Sequence, residues 1–205
     1  MIEKIENLEK QENLCVLHLH ENAISKIENL QRCKNLTMLN LSKNFVSKVE
    51  NLSHLSNLTT LILSHNNLTN AESIVQVQYL QSLQVLDIQF NKVNGDDYKE
   101  VIKILHSCQK LRVLYLLGNG IVKKIPHYRK TIISSCPELK YLDNRPVFHD
   151  ERRRGDKWGK MLQIGFSMDD ALQAEKEEME IIRREKKKIE DQKYLSLNDI
   201  FLAHK

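Results

Sequence analysis

Leu36-Thr37-Met38-Leu39-Asn40-Leu41-Ser42-Lys43-Asn44-Phe45-Val46 carries aliphatic side chains at its first, fourth, sixth and eleventh positions and an asparagine at its ninth. The alternation Leu39-x-Leu41 places two leucines on one side of a short strand and leaves Met38, Asn40 and Ser42 on the other. The same pattern occurs once before, at Leu14-Leu17-Leu19-Asn22-Ile24, and three times after. The later copies run Leu58-Leu61-Leu63-Asn66-Leu68, Leu83-Leu86-Ile88-Asn91-Val93 and Leu111-Leu114-Leu116-Asn119-Ile121, and the start-to-start spacings are 22, 22, 25 and 28 residues. Periods of this length mark a chain built by stacking one small unit. A single copy cannot bury its apolar side, whereas stacked neighbours bury it for one another.

The pattern L-x-x-L-x-L-x-x-N-x-Φ, with Φ aliphatic, predicts an α/β fold, a leucine-rich-repeat solenoid. Short parallel strands should line its concave face, and arcs and short helices its convex face. Asn22, Asn44, Asn66, Asn91 and Asn119 should form a structural ladder, each amide buried and bonded to backbone groups where the chain leaves its strand. The arcs continue with Ile24, Ile27, Leu30 and with Val46, Val49, Leu52, and the same phase is already present at Ile2, Ile5 and Leu8. The chain therefore opens inside a repeat. Because the end of a stack normally carries a polar cap, the expectation is that a longer form or a partner covers this edge.

Cys33, Cys108 and Cys136 also keep the repeat phase, in a slot that Leu55 and Leu80 fill elsewhere and that Gln11 takes in the first copy. Buried cysteine behaves as a small hydrophobe, so these are packing residues and Gln11 should face solvent. With Cys15 they make four cysteines and no C-x-x-C pair, which fits free thiols in a reducing compartment.

The longer repeats need more structure in their arcs. Asn94-Gly95-Asp96-Asp97 before Tyr98, Val101, Ile102 and Leu105 reads as a capped amphipathic helix. A second helix should begin near Pro126 and end at Cys136-Pro137. Leu139-Lys140-Tyr141-Leu142-Asp143 then starts a sixth copy that is not completed. The predicted organisation is a solenoid with C-terminal cap over 1–148, a cap extension or linker over 149–168 and a charged helical tail over 169–205. Trp158, Met161, Leu162 and Phe166 would fold back over the last repeat as the cap extension. From Asp169 to Lys193 there is no Gly or Pro, which predicts a long helix. Its seven acidic and seven basic residues between Glu175 and Lys193 favour a solvated or partner-dependent helix. Leu195 to Leu202 regains apolar character, as a docking segment or a frayed tail.

Net charge is +4 on 58 charged residues (31 basic plus 27 acidic), too weak a field to imply direct nucleic-acid binding. Met1 to Glu6 is acidic where a signal peptide needs basic and then apolar residues, and no apolar run of 18 residues occurs, so a soluble chain without membrane contact is expected. Phosphate-loop, dinucleotide, nucleophile-elbow and H-E-x-x-H motifs are all absent. No catalytic residue and no cofactor is expected. His18, His20 and His65 lie at outward strand positions, but no acidic or cysteine partner accompanies them, so no metal is expected.

What remains is surface, and the strand face of a solenoid is its usual extended binding site. Towards the C-terminal end that face carries Met38, Ile62, Phe90, Val113, Tyr115 and Leu117 around a single acid, Asp87. Exposed apolar groups in one patch mark a protein partner, and Tyr115 and Phe90 are the expected anchors. The cluster Arg152 to Arg154 with Lys157 and Lys160 reads as a solvated linker or as a surface for an acidic partner.

The 22-residue repeats with I-x-x-I-x-x-L arcs, and the stretch from His127-Tyr128-Arg129 to Leu139-x-x-Leu142-Asp143, resemble the phosphatase-regulator class of leucine-rich repeats and its C-terminal cap. Leu41 to Leu52, Ser64-His65-Asn66, Ile125-Pro126-His127-Tyr128-Arg129-Lys130 and above all Leu142-Asp143-Asn144-Arg145-Pro146-Val147-Phe148 resemble the leucine-rich-repeat axonemal dynein assembly factors of ciliated cells, over roughly residues 1–170. The chain departs from them at Gly118-Asn119-Gly120, where a proline usually follows the asparagine. The resemblance implies a non-enzymatic, cytoplasmic, cilium-specific scaffold for preassembly of dynein arms, with axonemal dynein chains and chaperones as partners, acting as a monomer or in a hetero-complex. A phosphatase-binding regulatory subunit and a ribonucleoprotein scaffold are the alternatives.

Overall fold

In the computed structural model, which describes residues 1–95, 98–163, 165 and 167–203, each copy of the leucine pattern yields a strand of three residues. These are β1 (Val16–His18), β2 (Met38–Asn40), β3 (Thr60–Ile62), β4 (Val85–Asp87) and β5 (Val113–Tyr115). They pair in chain order and all in parallel, with Leu17, Leu39, Leu61, Leu86 and Leu114 in register. The unfinished sixth copy supplies β6 (Tyr141–Leu142), parallel to β5, and β7 (Arg145–Pro146) turns back antiparallel to it. The sheet has seven strands and stays open. Inward leucines from Leu36 to Leu116 are fully buried in one continuous core.

The arcs grow along the chain. The first two contain no helix. The 25-residue repeat adds α1 (Ala71–Ile74) and a 3₁₀ turn at Val75–Tyr79, and the next adds α2 (Tyr98–Ser107). After β5 comes α3 (Tyr128–Ser135), closed by Cys136. The expected helices near 98 and 126 are present, whereas α1 was not foreseen. Its signal was the pair Asn70 and Ser73: the Asn70 side chain accepts from the Ser73 N–H at 2.9 Å and Ser73 Oγ returns to the Asn70 backbone, a reciprocal cap. The Asp96 and Asp97 part of the expected α2 cap lies outside the described residues.

Four of the five ladder asparagines are buried and tie two repeats together. Asn66 Oδ1 accepts from the Val46 N–H at 2.8 Å, while its Nδ2 donates to Leu41 O of the previous repeat at 2.9 Å and to Leu63 O of its own at 3.1 Å. Asn44, Asn91 and Asn119 repeat this arrangement. Asn22 keeps the bonds, accepting from Ile2 N–H at 2.8 Å, but it is only half-buried because a single strand-less turn precedes it. The expectation that all five are buried is corrected at that position. Leu14, Leu17 and Leu19 are likewise half-buried, and Leu17 and Leu19 line a groove of about 230 Å³ together with Ile2 and Leu8.

Two further asparagine ladders run along the arcs. Asn29 and Asn51 donate to the carbonyls of Ile5 and Ile27 at 2.6 and 2.7 Å, and Asn35 and Asn57 to those of Glu12 and Lys34. Asn7, Asn29 and Asn51 all take the left-handed conformation, which asparagine tolerates better than most residues. The recurring Glu-Asn-Leu at 6–8, 28–30 and 50–52 was the sign of it.

Cys33, Cys108 and Cys136 are buried as expected, and Cys15 is exposed. Burial pushes the Cys108 thiol up to about 12, so it stays protonated at neutral pH and acts as packing.

The C-terminal cap is built on Asp143. Its Oδ1 accepts from the N–H groups of Leu116 and Leu117, at 2.9 and 3.2 Å, and its Oδ2 from the Tyr128 hydroxyl at 3.0 Å. Burial and that carboxylate push the Tyr128 phenol well above its ordinary value. Arg129 donates to Leu142 O and to Pro146 O, at 3.3 and 2.8 Å, pinning the β6–β7 hairpin. The most distinctive stretch of the sequence thus terminates the stack.

The chain divides into two compact units, Met1–Val147 and Phe148–Lys205. The second is a helical hairpin of α4 (His149–Gln163) and α5 (Met168–Ala203). The basic cluster meets its acidic partner here, within the same unit: Arg153 bridges Glu178 and Glu185 at 2.7 and 2.5 Å, and Lys186 pairs with Asp150. Residues 149–163 form a helix, and the basic cluster, read as a solvated linker or as a surface for an acidic partner, pairs with carboxylates of α5. Trp158, Ala171, Ala174 and Ile182 are buried. Phe166, and the side chains of Leu195 to Leu202, lie outside the described residues. Among the described residues no helix is long and apolar enough to cross a membrane.

Candidate functional site: the concave strand face

Parallel register converts the outward positions of the strands into rows. Asn40, Ile62, Asp87 and Tyr115 form the central row, because each occupies the third residue of its strand. Met38, Thr60, Val85, Val113 and Tyr141 form the row beside it. Most of these side chains are half-buried against their neighbours, and Tyr141 is 48% exposed. Tyr141 was missed as a surface residue, although it stands 28 residues after Val113 in the incomplete sixth copy. Ser64, which the Leu61-x-Leu63 alternation would place outward, is buried beside Asp87.

A rim follows the strands. Glu21, Lys43, His65 and Phe90, each immediately before a ladder asparagine, share φ values of 52–58°, and Gly118 at φ 80° takes the same place in the fifth repeat. Their side chains interact along the stack. Lys43 pairs with Glu21 at 2.6 Å, and the His65 ring stacks on Phe90 with centroids 4.6 Å apart. Phe90 then lies over Gly118, where an added Cβ would stand 2.5 Å from the Phe90 ring and 2.9 Å from its backbone nitrogen. Left-handed backbone alone does not demand glycine, since four other residues adopt it in the same column. The close approach of Phe90 does. Gly118→Ala is expected to cost about 1–3 kcal/mol in urea unfolding, whereas Lys43→Ala, exposed in the same column, should stay within about 0.5 kcal/mol.

The structure thus brings Ile62, Asp87, Phe90, Val113, Tyr115 and Leu117 onto one end of the face, with Phe90 and Leu117 exposed at its edge and Met38 continuing the apolar row two strands away. The ladder asparagines stay inside. The His18 and His20 rings stand nearly perpendicular with centroids 6.1 Å apart, and among the described residues no three His, Cys, Asp or Glu side chains gather as a metal site would require.

Electrostatically the face is nearly blank. Asp87 accepts from the Gln89 N–H at 3.1 Å and from Gln89 Nε2 at 3.3 Å, both neutral donors, with Ser64 and His65 as its other polar neighbours. Burial holds its carboxyl above the ordinary carboxylate range against the pull of those bonds.

Family models described as leucine-rich repeats match residues 12–54, as two copies, and residues 57–76. The chain is 42% identical over 119 residues to human (Homo sapiens) dynein axonemal assembly factor 1, an alignment that covers 56% of this chain and 15% of that protein. It is 38% identical over 106 residues to leucine-rich repeat-containing protein ODA7 of Chlamydomonas reinhardtii, covering 52% of this chain and 23% of the relative. The aligned spans are shorter than the roughly 170 residues expected from the sequence resemblance, and the chain spans less than a quarter of the length of either relative. Among solved structures, the Drosophila melanogaster SNF/U2A' complex contains a similar chain, with a TM-score of 0.59 and 26% identity over 77% of this chain and 86% of that one. Residues 1–147 are a leucine-rich-repeat solenoid, and over about half its length the chain is similar to the dynein axonemal assembly factors.

Proposed function

We propose that this chain is a non-enzymatic protein-binding scaffold in the cytoplasmic preassembly of axonemal dynein arms, and so in cilium motility. The observation that carries the reading is the similarity to human dynein axonemal assembly factor 1 and to its homolog in Drosophila melanogaster. The concave face supports it, because half-buried aliphatic side chains flanked by Tyr115 and Phe90 suit a protein surface. The partners proposed are axonemal dynein chains and the chaperones that fold them.

Removing the protein from a ciliated cell is expected to abolish motility and strip dynein arms from axonemes in electron micrographs; intact arms in the null line would defeat the proposal. Re-expressed Tyr115→Ala should melt within a few degrees of wild type yet fail to restore arms and fail to capture dynein chains. An interface anchor of this kind contributes about 2 kcal/mol or more. Capture of a phosphatase catalytic subunit by wild type, in place of dynein chains, would replace the proposal with the regulatory reading.

A further inference from the structure

Of the twelve outward positions in the second to fifth repeats, three per repeat, Asp87 alone is charged. It stands in the central row between Ile62 of β3 and Tyr115 of β5. Among the described residues no lysine or arginine lies within ion-pair distance of it, and Lys43 on the rim is already paired with Glu21. Two neutral donors, the Gln89 backbone and side chain, hold the carboxylate in one orientation on the floor of the face, and His65 on the rim is the titratable group whose charge it feels.

We infer that Asp87 is the receptor for one arginine side chain of the protein that docks on the concave face, an inference that rests on the concave face being the docking surface. An oriented carboxylate on an otherwise uncharged face is complementary to a single cation. Arginine suits it better than lysine, because its planar fork can donate two bonds to one carboxylate, and because a weakly hydrated guanidinium loses less on entering an apolar site. Tyr115 beside it, and the His65–Phe90 stack on the rim, offer aromatic faces along which such a group can lie. A nucleic acid fits poorly, since a phosphate would be repelled by the one charged side chain among those twelve outward positions.

The carboxylate is also an expensive feature for the free protein. Its folded-state pKa is raised, so the folded chain binds this proton more tightly than the unfolded chain does, and the stability associated with it is lost as pH rises through the carboxylate range. Asp87→Asn keeps one acceptor oxygen for the Gln89 N–H, while its new NH2 can meet the Gln89 side-chain oxygen once that amide turns over, and it removes that cost. The variant should therefore melt at the same temperature as wild type at pH 7, or higher, while binding worse. A residue kept for the fold alone would behave in the opposite way.

The test uses a phage-displayed peptide library selected on the full chain, with enriched peptides then measured against wild type, Asp87→Asn and Tyr115→Ala. The expected result is enrichment of peptides sharing an arginine. Its replacement by glutamine should weaken binding to wild type by about tenfold or more and change binding to Asp87→Asn little. Peptides lost on Tyr115→Ala but indifferent to Asp87→Asn would overturn the role of Asp87 and leave the concave face standing. Peptides indifferent to both variants would overturn both. A large drop in the melting temperature of Asp87→Asn would make the residue structural and end the inference.

Discussion

Leu86→Ala is expected to lower the unfolding free energy by about 2–5 kcal/mol, a large share of the 5–15 kcal/mol typical of a folded chain. Leu86 is fully buried on β4, with Leu61 and Leu114 on either side in register. Its side chain is thus enclosed by three repeats, and the neighbours are too firmly bonded to close over the vacancy. The measurement is the urea midpoint of the whole chain, with amide exchange to locate the damage. Protection should fall first in β3 to β5, because a stack transmits stability between nearest neighbours. The same truncation at Leu17, half-buried on the first strand, should cost clearly less. Equal losses at the two positions would mean that the stack does not distribute stability as its packing implies. Any loss of function in Leu86→Ala would report the fold and identify no binding site.

Asn66→Ala should be nearly as damaging, through polar groups rather than volume. It strands the buried N–H of Val46 and takes a donor from the carbonyls of Leu41 and Leu63. An orphaned buried group costs about 1–3 kcal/mol, so a total loss of about 2–4 kcal/mol is expected from the same denaturation series. Asn22→Ala is the control: the geometry is alike, but the site is half-buried and water can replace the amide. It should cost no more than about 1 kcal/mol. A loss at Asn22 as large as that at Asn66 would show that the ladder does not act through burial.

The repeat architecture was open to reading because each leucine and each ladder asparagine serves a contact repeated at a fixed interval. Periodicity exposes such residues without any knowledge of the third dimension. The concave rows were legible for the same reason, once Leu-x-Leu had fixed which side chains point outward. Ser64 escaped because its burial depends on neighbours such as Asp87, one strand and 23 residues away, and not on its place in the strand alternation. Tyr141 escaped because the sixth copy lacks its asparagine, so it did not register as a strand. The helical hairpin was half-read: composition announced the helix, but balanced charge does not say whether the partner is water or another helix. Only the pairing of Arg153 with Glu178 and Glu185 decides that. The need for glycine at Gly118 follows from Phe90 lying over it, a contact that the repeat pattern does not announce.

The unequal arcs have one further consequence. Strands on the concave side are held about 4.8 Å apart by their hydrogen bonds, whereas helices on the convex side need about 10 Å each. The first two arcs hold no helix and the later ones hold α1, α2 and α3, so successive repeats must splay apart on the outside only in the second half. A ribbon that is nearly flat at its start must curl as it proceeds. The curl centres on the strands that carry Asp87 and Tyr115, which makes the number of residues inserted on the back of the molecule a control on the radius of the cup at its front.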